Sequence, residues 1–228
     1  MAIPFEQLFD TFAINLKRSQ PALDCLQRLG LSSNIGLGYN ARGWDRLQQC
    51  IIFPLRRQNN RIVGFYGYPI NQATRDNLPD EQRYVSRRIG FYPRYPDPYT
   101  ERLLLTQSIV DAALLWQIHP IWDSYTVSAC YSSRGLTREQ LTGISSLRAL
   151  WEVVLFFNGN SAGRALVHRV GEQLLKARPE IILTVVDSPS NETISTLGPS
   201  TLIKILGERS VVAQQDKFVN GASTIKKG

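Results

Sequence analysis

The sequence predicts an α/β protein: a doubly wound, mainly parallel sheet preceded by a small α+β subdomain. Three observations carry this. From residue 101 onward, short apolar runs alternate with longer segments of helical periodicity, the pattern of a parallel sheet with helices on both faces. The runs RLLLT, YTVSAC, EVVLFF and EIILTVV are apolar at most positions, as strands buried on both faces are. Before residue 100 the pattern differs, with two helical stretches followed by two β-rich runs around a polar turn. The expected boundaries are 1–100 for the amino-terminal subdomain, 101–207 for the doubly wound domain and 208–228 for a mobile basic tail.

In chain order, Phe5, Leu8, Phe9, Phe12 and Leu16 recur at helical spacing. A second helix follows over PALDCLQRLG, with Pro21 in its first turn and Gly30 at its stop. CIIFPLRR (50–57), QNN (58–60) and RIVGFYGYPI (61–70) form a hairpin, and 71–83 is a polar loop. Residues 84–100 carry Pro93, Pro96 and Pro98, which forbid regular structure. That stretch reads two ways: as a packed connector, or as a surface where Tyr84, Phe91, Tyr92, Tyr95 and Tyr99 stack bases beside Arg87, Arg88 and Arg94. Strands are then expected at 102–106, 125–130, 152–157 and 180–186. The intervening helices cover QSIVDAALLWQI, TREQLTGISSLRAL (capped by Thr137) and SAGRALVHRVGEQLLKA.

Hydrophobic residues make up 43% of the chain and charged residues 20%, an ordinary globular balance that excludes a disordered or fibrous protein. Lys and Arg number 26 against 19 acids, and the net +7 fits an anionic partner, nucleic acid being the commonest. Cys25, Cys50 and Cys130 are odd in number and far apart, which suits buried, reduced thiols in a cytoplasmic protein. No run is long and apolar enough for a membrane span, and the acid-bearing start MAIPFEQLFDTF does not read as a signal peptide. His119 and His168 have no partner at metal-ligand spacing, and the chain has no GxxxxGK[ST] loop.

In an open parallel sheet the functional crevice lies at the carboxyl ends of the strands. The first strand ends in LLLTQ, with Asp111 four residues after Gln107; the third ends in FFNGNSAGR. Asn158 and Asn160, two apart on an extended segment, are expected to point together into the crevice near Gln107. These residues carry a resemblance to the Toprim domain of bacterial DNA primases, topoisomerases and related nucleases. In that family the first strand ends in glutamate, often followed four residues on by aspartate, and a later strand ends in Asp-x-Asp before x-Ala-Gly. TQSIVD and FNGNSAGR occupy those places, so the resemblance puts Gln107, Asn158 and Asn160 where the family keeps acids. Asp111, Ala162, Gly163 and Arg164 match. CIIFPLRRQNNRIVGFYGYPI and PALDCLQRLGLSSNIGLGYN are similar to primase segments upstream. GFYPRYPDPYTERLLLTQSIVDAALLW resembles the primase-type proteins of mobile elements. The likeness spans about residues 20–195.

The resemblance implies a Mg²⁺-holding acidic cluster, but three acid-to-amide changes remove about three negative charges from one crevice. A hard dication wants carboxylate oxygens, so no metal or other cofactor is expected. In the last motif Asn191 and Glu192 fit, but Pro189 stands where the family has an aspartate, and Asp187 lies two residues away. The leading expectation is a non-catalytic, primase-derived nucleic-acid-binding component of a DNA-processing, replication or mobile-element complex. It would bind DNA or RNA through Arg56, Arg57, Arg87, Arg88, Arg94 and Arg164, with Tyr92 and Tyr95 stacking bases, and would have protein partners but no membrane. Two alternatives stand beside it: an active Mg²⁺-dependent primase or nuclease using Asp111, Asp187 and Glu192, and a protein–protein scaffold that binds no DNA.

Overall fold

The computed structural model describes residues 4–213 apart from 43, 45, 73–82, 86–88, 132, 133, 190 and 191. The two expected amino-terminal helices form as α1 (Phe5–Arg18) and α2 (Gln20–Arg28). Ser19 separates them and caps α2, its Oγ accepting from the Ala22 amide at 3.4 Å, while Pro21 supplies a first-turn residue that needs no hydrogen-bond partner. The apolar face of α1 packs on β3 (Ile62–Pro69): the rings of Phe5 and Phe12 meet Phe65 at 5.2 and 5.6 Å between centroids.

β3 belongs to an antiparallel sheet of order β1-β2-β3-β4, with β1 Gly38–Asn40, β2 Cys50–Arg56 and β4 Tyr84–Val85. The expected hairpin is β2 and β3, joined by a short 3₁₀ turn in which Asn59 (φ 65°) and Asn60 (φ 63°) take the left-handed conformation that asparagine tolerates. β1 was not expected. It pairs Gly38 with Ile52, and a Cβ at Gly38 would lie 2.5 Å from the Phe12 Cβ, so this close approach of α1 to the sheet requires glycine. Asn40, fully buried, holds the following loop by donating from Nδ2 to the carbonyls of Trp44, Arg46 and Leu47.

The second sheet has the order β6-β5-β7-β8-β9. β5 (Arg102–Thr106), β6 (Thr126–Ala129), β7 (Glu152–Phe156) and β8 (Ile182–Val185) are parallel, and β9 (Ser210–Ala213) runs antiparallel along β8. The helices are α3 (Ile109–Trp116), α4 (His119–Ser124), α5 (Arg138–Ser145), α6 (Ser161–Ala177) and α7 (Pro199–Gly207). Alternation along the strands sorts the core. Leu104, Val154 and Phe156 join α3, α7 and residues of the first sheet such as Phe53 and Tyr66 in one cluster. Leu103, Leu105, Val153 and Leu155 join Ile144 of α5 and Leu166, Val170 and Leu174 of α6 in another. Helices therefore cover both faces, and the two sheets share one hydrophobic cluster. Thr137 caps α5 as expected, in a reciprocal capping box with Gln140, whose Nε2 also donates to the Ala129 carbonyl at 2.7 Å and ties the helix to β6.

Three features depart from the expected layout. Residues 208 onward do not start as a mobile tail: Arg209 ion-pairs with buried Glu152 and Ser210–Ala213 form β9, while 214–228 lie outside the described residues. The helix expected over QSIVDAALLWQI forms as α3, but a further short helix follows it, with His119 opening α4 edge-to-face with Trp122 at 4.9 Å. α7, begun by Pro199, closes the core with Leu202 and Leu206. All three cysteines are free and buried, and among the described residues no helix is long and apolar enough to cross a membrane.

Candidate functional site at the strand ends

β5 and β7 are neighbours in parallel register, Thr106 opposite Phe156, so Gln107 and Asn158 leave adjacent strands one and two residues beyond the last pair. Their side-chain oxygens, Gln107 Oε1 and Asn158 Oδ1, are buried and accept no hydrogen bond from the described residues. Beyond β8, Ser188 is 8% exposed and its Oγ is likewise unpartnered. The exits of β7 and β8 touch: a Cβ at Gly159 would lie 2.0 Å from the Ser188 carbonyl oxygen. Three unsatisfied polar oxygens thus sit at the ends of three adjacent strands, where buried polar groups ordinarily find partners.

Asn160 is a correction. It does not join Asn158; it is the N-cap of α6, exposed, with Oδ1 accepting from the Gly163 amide at 2.8 Å. The alternation expected of an extended segment ends because α6 starts at once and needs a cap. A Cβ at Gly163 would lie 1.9 Å from the Asn158 carbonyl oxygen, so glycine alone permits this tight entry. Arg164, exposed, donates from Nη1 to the Gly159 carbonyl and lies over the turn.

Asp111 is 7% exposed in the first turn of α3. Its Oδ2 accepts from Ser108 Oγ at 2.7 Å, and its own amide donates back to that Oγ at 3.1 Å. Burial pushes its carboxyl up from 3.8 to about 6, against the lowering effect of the Ser108 bonds. A folded-state value above the unfolded one contributes stability below the unfolded value and loses it as pH rises through about 6. Asp111→Asn is therefore expected to stabilise the protein above pH ~6, by on the order of 2 kcal/mol, with the gain vanishing below pH ~4. Denaturant melts of both proteins across that range check it.

Asp187 and Glu192 are exposed, and Asn191 lies outside the described residues. Among the described residues no three His, Cys, Asp or Glu side chains form a group able to hold a metal ion. The donors at the strand ends are neutral amides, a hydroxyl and one carboxyl already bonded to Ser108, a set that does not fit a Mg²⁺ ion seeking anionic oxygens.

The expected nucleic-acid residues separate into different environments. Tyr92 is a correction: it is 1% exposed, packed on Phe53 at 5.4 Å in the core, and no base can reach it. Arg57 pairs through Nε with Glu139 Oε1 at 2.6 Å, and Glu139 Oε2 accepts from the Gly90 amide, so Glu139 ties both the end of β2 and the connector to α5. Arg56 donates from Nη1 to the Asn60 carbonyl at 2.8 Å. Tyr95 is half-buried, edge-to-face with Phe91 at 4.8 Å. Arg94 is exposed and has no hydrogen-bond or ion-pair partner among the described residues. Arg87 and Arg88 lie outside the described residues. Sequence reasoning missed the capping role of Asn160, although Asn followed by a helix-forming run signals it. It also missed Ser188, whose burial has no local signal.

Taken together, the two-sheet arrangement defines the class: the fold is that of bacterial primase catalytic domains. The Aquifex aeolicus primase (zinc-binding and RNA polymerase domains) superposes with a TM-score of 0.74 at 15% identity, covering 91% of this chain and 60% of that one. A DnaG primase catalytic domain solved bound to single-stranded DNA superposes with a TM-score of 0.68 at 17% identity, covering 90% of this chain and 77% of that one. In sequence, the chain is 27% identical over 149 residues to a DNA primase of Buchnera aphidicola subsp. Baizongia pistaciae, covering 63% of this chain and 24% of that protein. The chain thus spans about a quarter of the length of that curated relative. No protein-family model matches it.

Proposed function

We propose that the protein is a non-catalytic, primase-derived nucleic-acid-binding component of a DNA-processing, replication or mobile-element complex. In this reading residues 101–207 are a Toprim-type domain whose metal chemistry has gone. The observation that carries it is the neutral crevice, with Gln107 and Asn158 presenting unpartnered amide oxygens where an acidic site would present carboxylates. An acidic crevice repels phosphates unless a cation fills it; a neutral one beside Arg164 does not. The primase fold and the single-stranded DNA bound by one neighbour support a nucleic-acid partner.

The test is binding of labelled single-stranded and duplex DNA at about 50 mM salt, with Mg²⁺ or with EDTA. Affinity is expected to be the same in both and to fall with rising salt. Binding that requires Mg²⁺, or nucleotide incorporation abolished by Asp111→Ala, would establish the active-enzyme reading instead. A chain with no affinity at low salt would be a scaffold.

A further inference from the structure

At the opposite end of the parallel sheet from the crevice, α3 terminates in Trp116 and α4 carries Trp122, 42% exposed. With Asn34, Ile35 and Gly36 from the loop before β1, and Arg94 from the connector, they line an open cleft of 510 Å³. Two indoles, one amide and one guanidinium make an unusual surface for a soluble protein to leave uncovered. Among the described residues Arg94 is the only charged one of the lining. It also lines the two adjoining clefts, one of them against Gln58, Asn59 and Asn60 of the hairpin turn.

We propose that this cleft takes one unstacked base of a single nucleic-acid strand, against the indoles of Trp116 and Trp122, with the neighbouring phosphate on Arg94; this rests on the nucleic-acid reading above. Indole faces stack on any base, and an arginine without a partner is a ready phosphate contact. The amide of Asn34 faces the same cleft and suits a base edge, which carries both donors and acceptors. The two clefts that share Arg94 differ in charge, and this sets the direction a strand can take from the site. The cleft sharing Arg94 and Trp122 carries Asp97, Glu101 and Asp123 against Arg102, an acidic excess that disfavours a second phosphate on that side. The strand therefore leaves the pocket away from that acidic side.

The test is quenching of tryptophan fluorescence in the full chain by a single-stranded oligonucleotide of about 12 nucleotides at about 50 mM salt. Trp122→Ala and Arg94→Ala are each expected to weaken binding roughly tenfold, as is removal of the bases from the strand. Trp122→Phe, which keeps a stacking ring, should retain affinity. Trp151→Phe, which alters an exposed tryptophan outside the cleft, should retain both affinity and quenching. Wild-type affinity in both Trp122→Ala and Arg94→Ala overturns this site while leaving the nucleic-acid reading intact. Equal affinity for a free nucleoside monophosphate and the strand overturns the strand as occupant. A wild-type chain that binds no oligonucleotide removes both readings.

Discussion

Arg209→Ala is expected to destabilise the protein by roughly 3–5 kcal/mol, the cost of leaving a buried carboxylate without its cation. Glu152, at the start of β7, is 2% exposed. Arg209 meets it with two hydrogen bonds, Nε to Oε1 at 2.6 Å and Nη2 to Oε2 at 3.0 Å, and Thr184 Oγ1 adds a third at 3.0 Å. Arg209 Nη1 also donates to the Leu206 carbonyl at the end of α7, and its guanidinium lies 5.8 Å from the Tyr125 ring centroid. One side chain therefore joins β7, α7 and the approach to β9. Denaturant unfolding measures the loss. Adding Glu152→Gln should recover much of it, because glutamine keeps the acceptor for Thr184 without the unpaired charge. If Arg209→Ala unfolds at the wild-type midpoint, residues 209–213 are not docked as described.

The second large effect concerns the crevice. The double variant Gln107→Glu, Asn158→Asp places acids at two positions whose side-chain oxygens are buried and unpartnered among the described residues. Without metal, two like charges in one low-dielectric crevice are expected to cost several kcal/mol. With about 10 mM Mg²⁺ much of that loss should return, since a ligand at a hundred times its dissociation constant stabilises by about 2.7 kcal/mol. The wild-type melting temperature should be indifferent to Mg²⁺. A double variant as stable as wild type without metal would mean that the two side chains do not share a crevice.

Much of this architecture is legible in the residues. RLLLT and EVVLFF are buried on both faces and read as central parallel strands; the hairpin and the Thr137 cap follow from local chemistry. What is not legible depends on tertiary context. β1 is three residues long and exists because Gly38 lets α1 come within contact of the sheet. β9 carries exposed Val211 and Val212 and forms on the edge of β8 next to the Arg209–Glu152 pair, 57 residues apart in sequence. Tyr92 stands in a tyrosine- and arginine-rich segment that looks like a binding surface; only the packing of Phe53 across it shows that it is core. In the crevice, the positions of Gln107 and Asn158 follow from strand order. The divergence of Asn160 follows from the need of α6 for a cap, a local demand that overrode the period-two expectation.

The proposal that a primase-type fold is kept here with a neutral crevice makes a direct statement about metal binding. Titrating the wild-type chain with Mn²⁺ and following the signal of the free ion by electron paramagnetic resonance tests it most directly. The free-ion signal is expected to rise in step with added Mn²⁺, with no ion held at micromolar concentrations. One Mn²⁺ held tightly per chain and released by Asn158→Ala would contradict it.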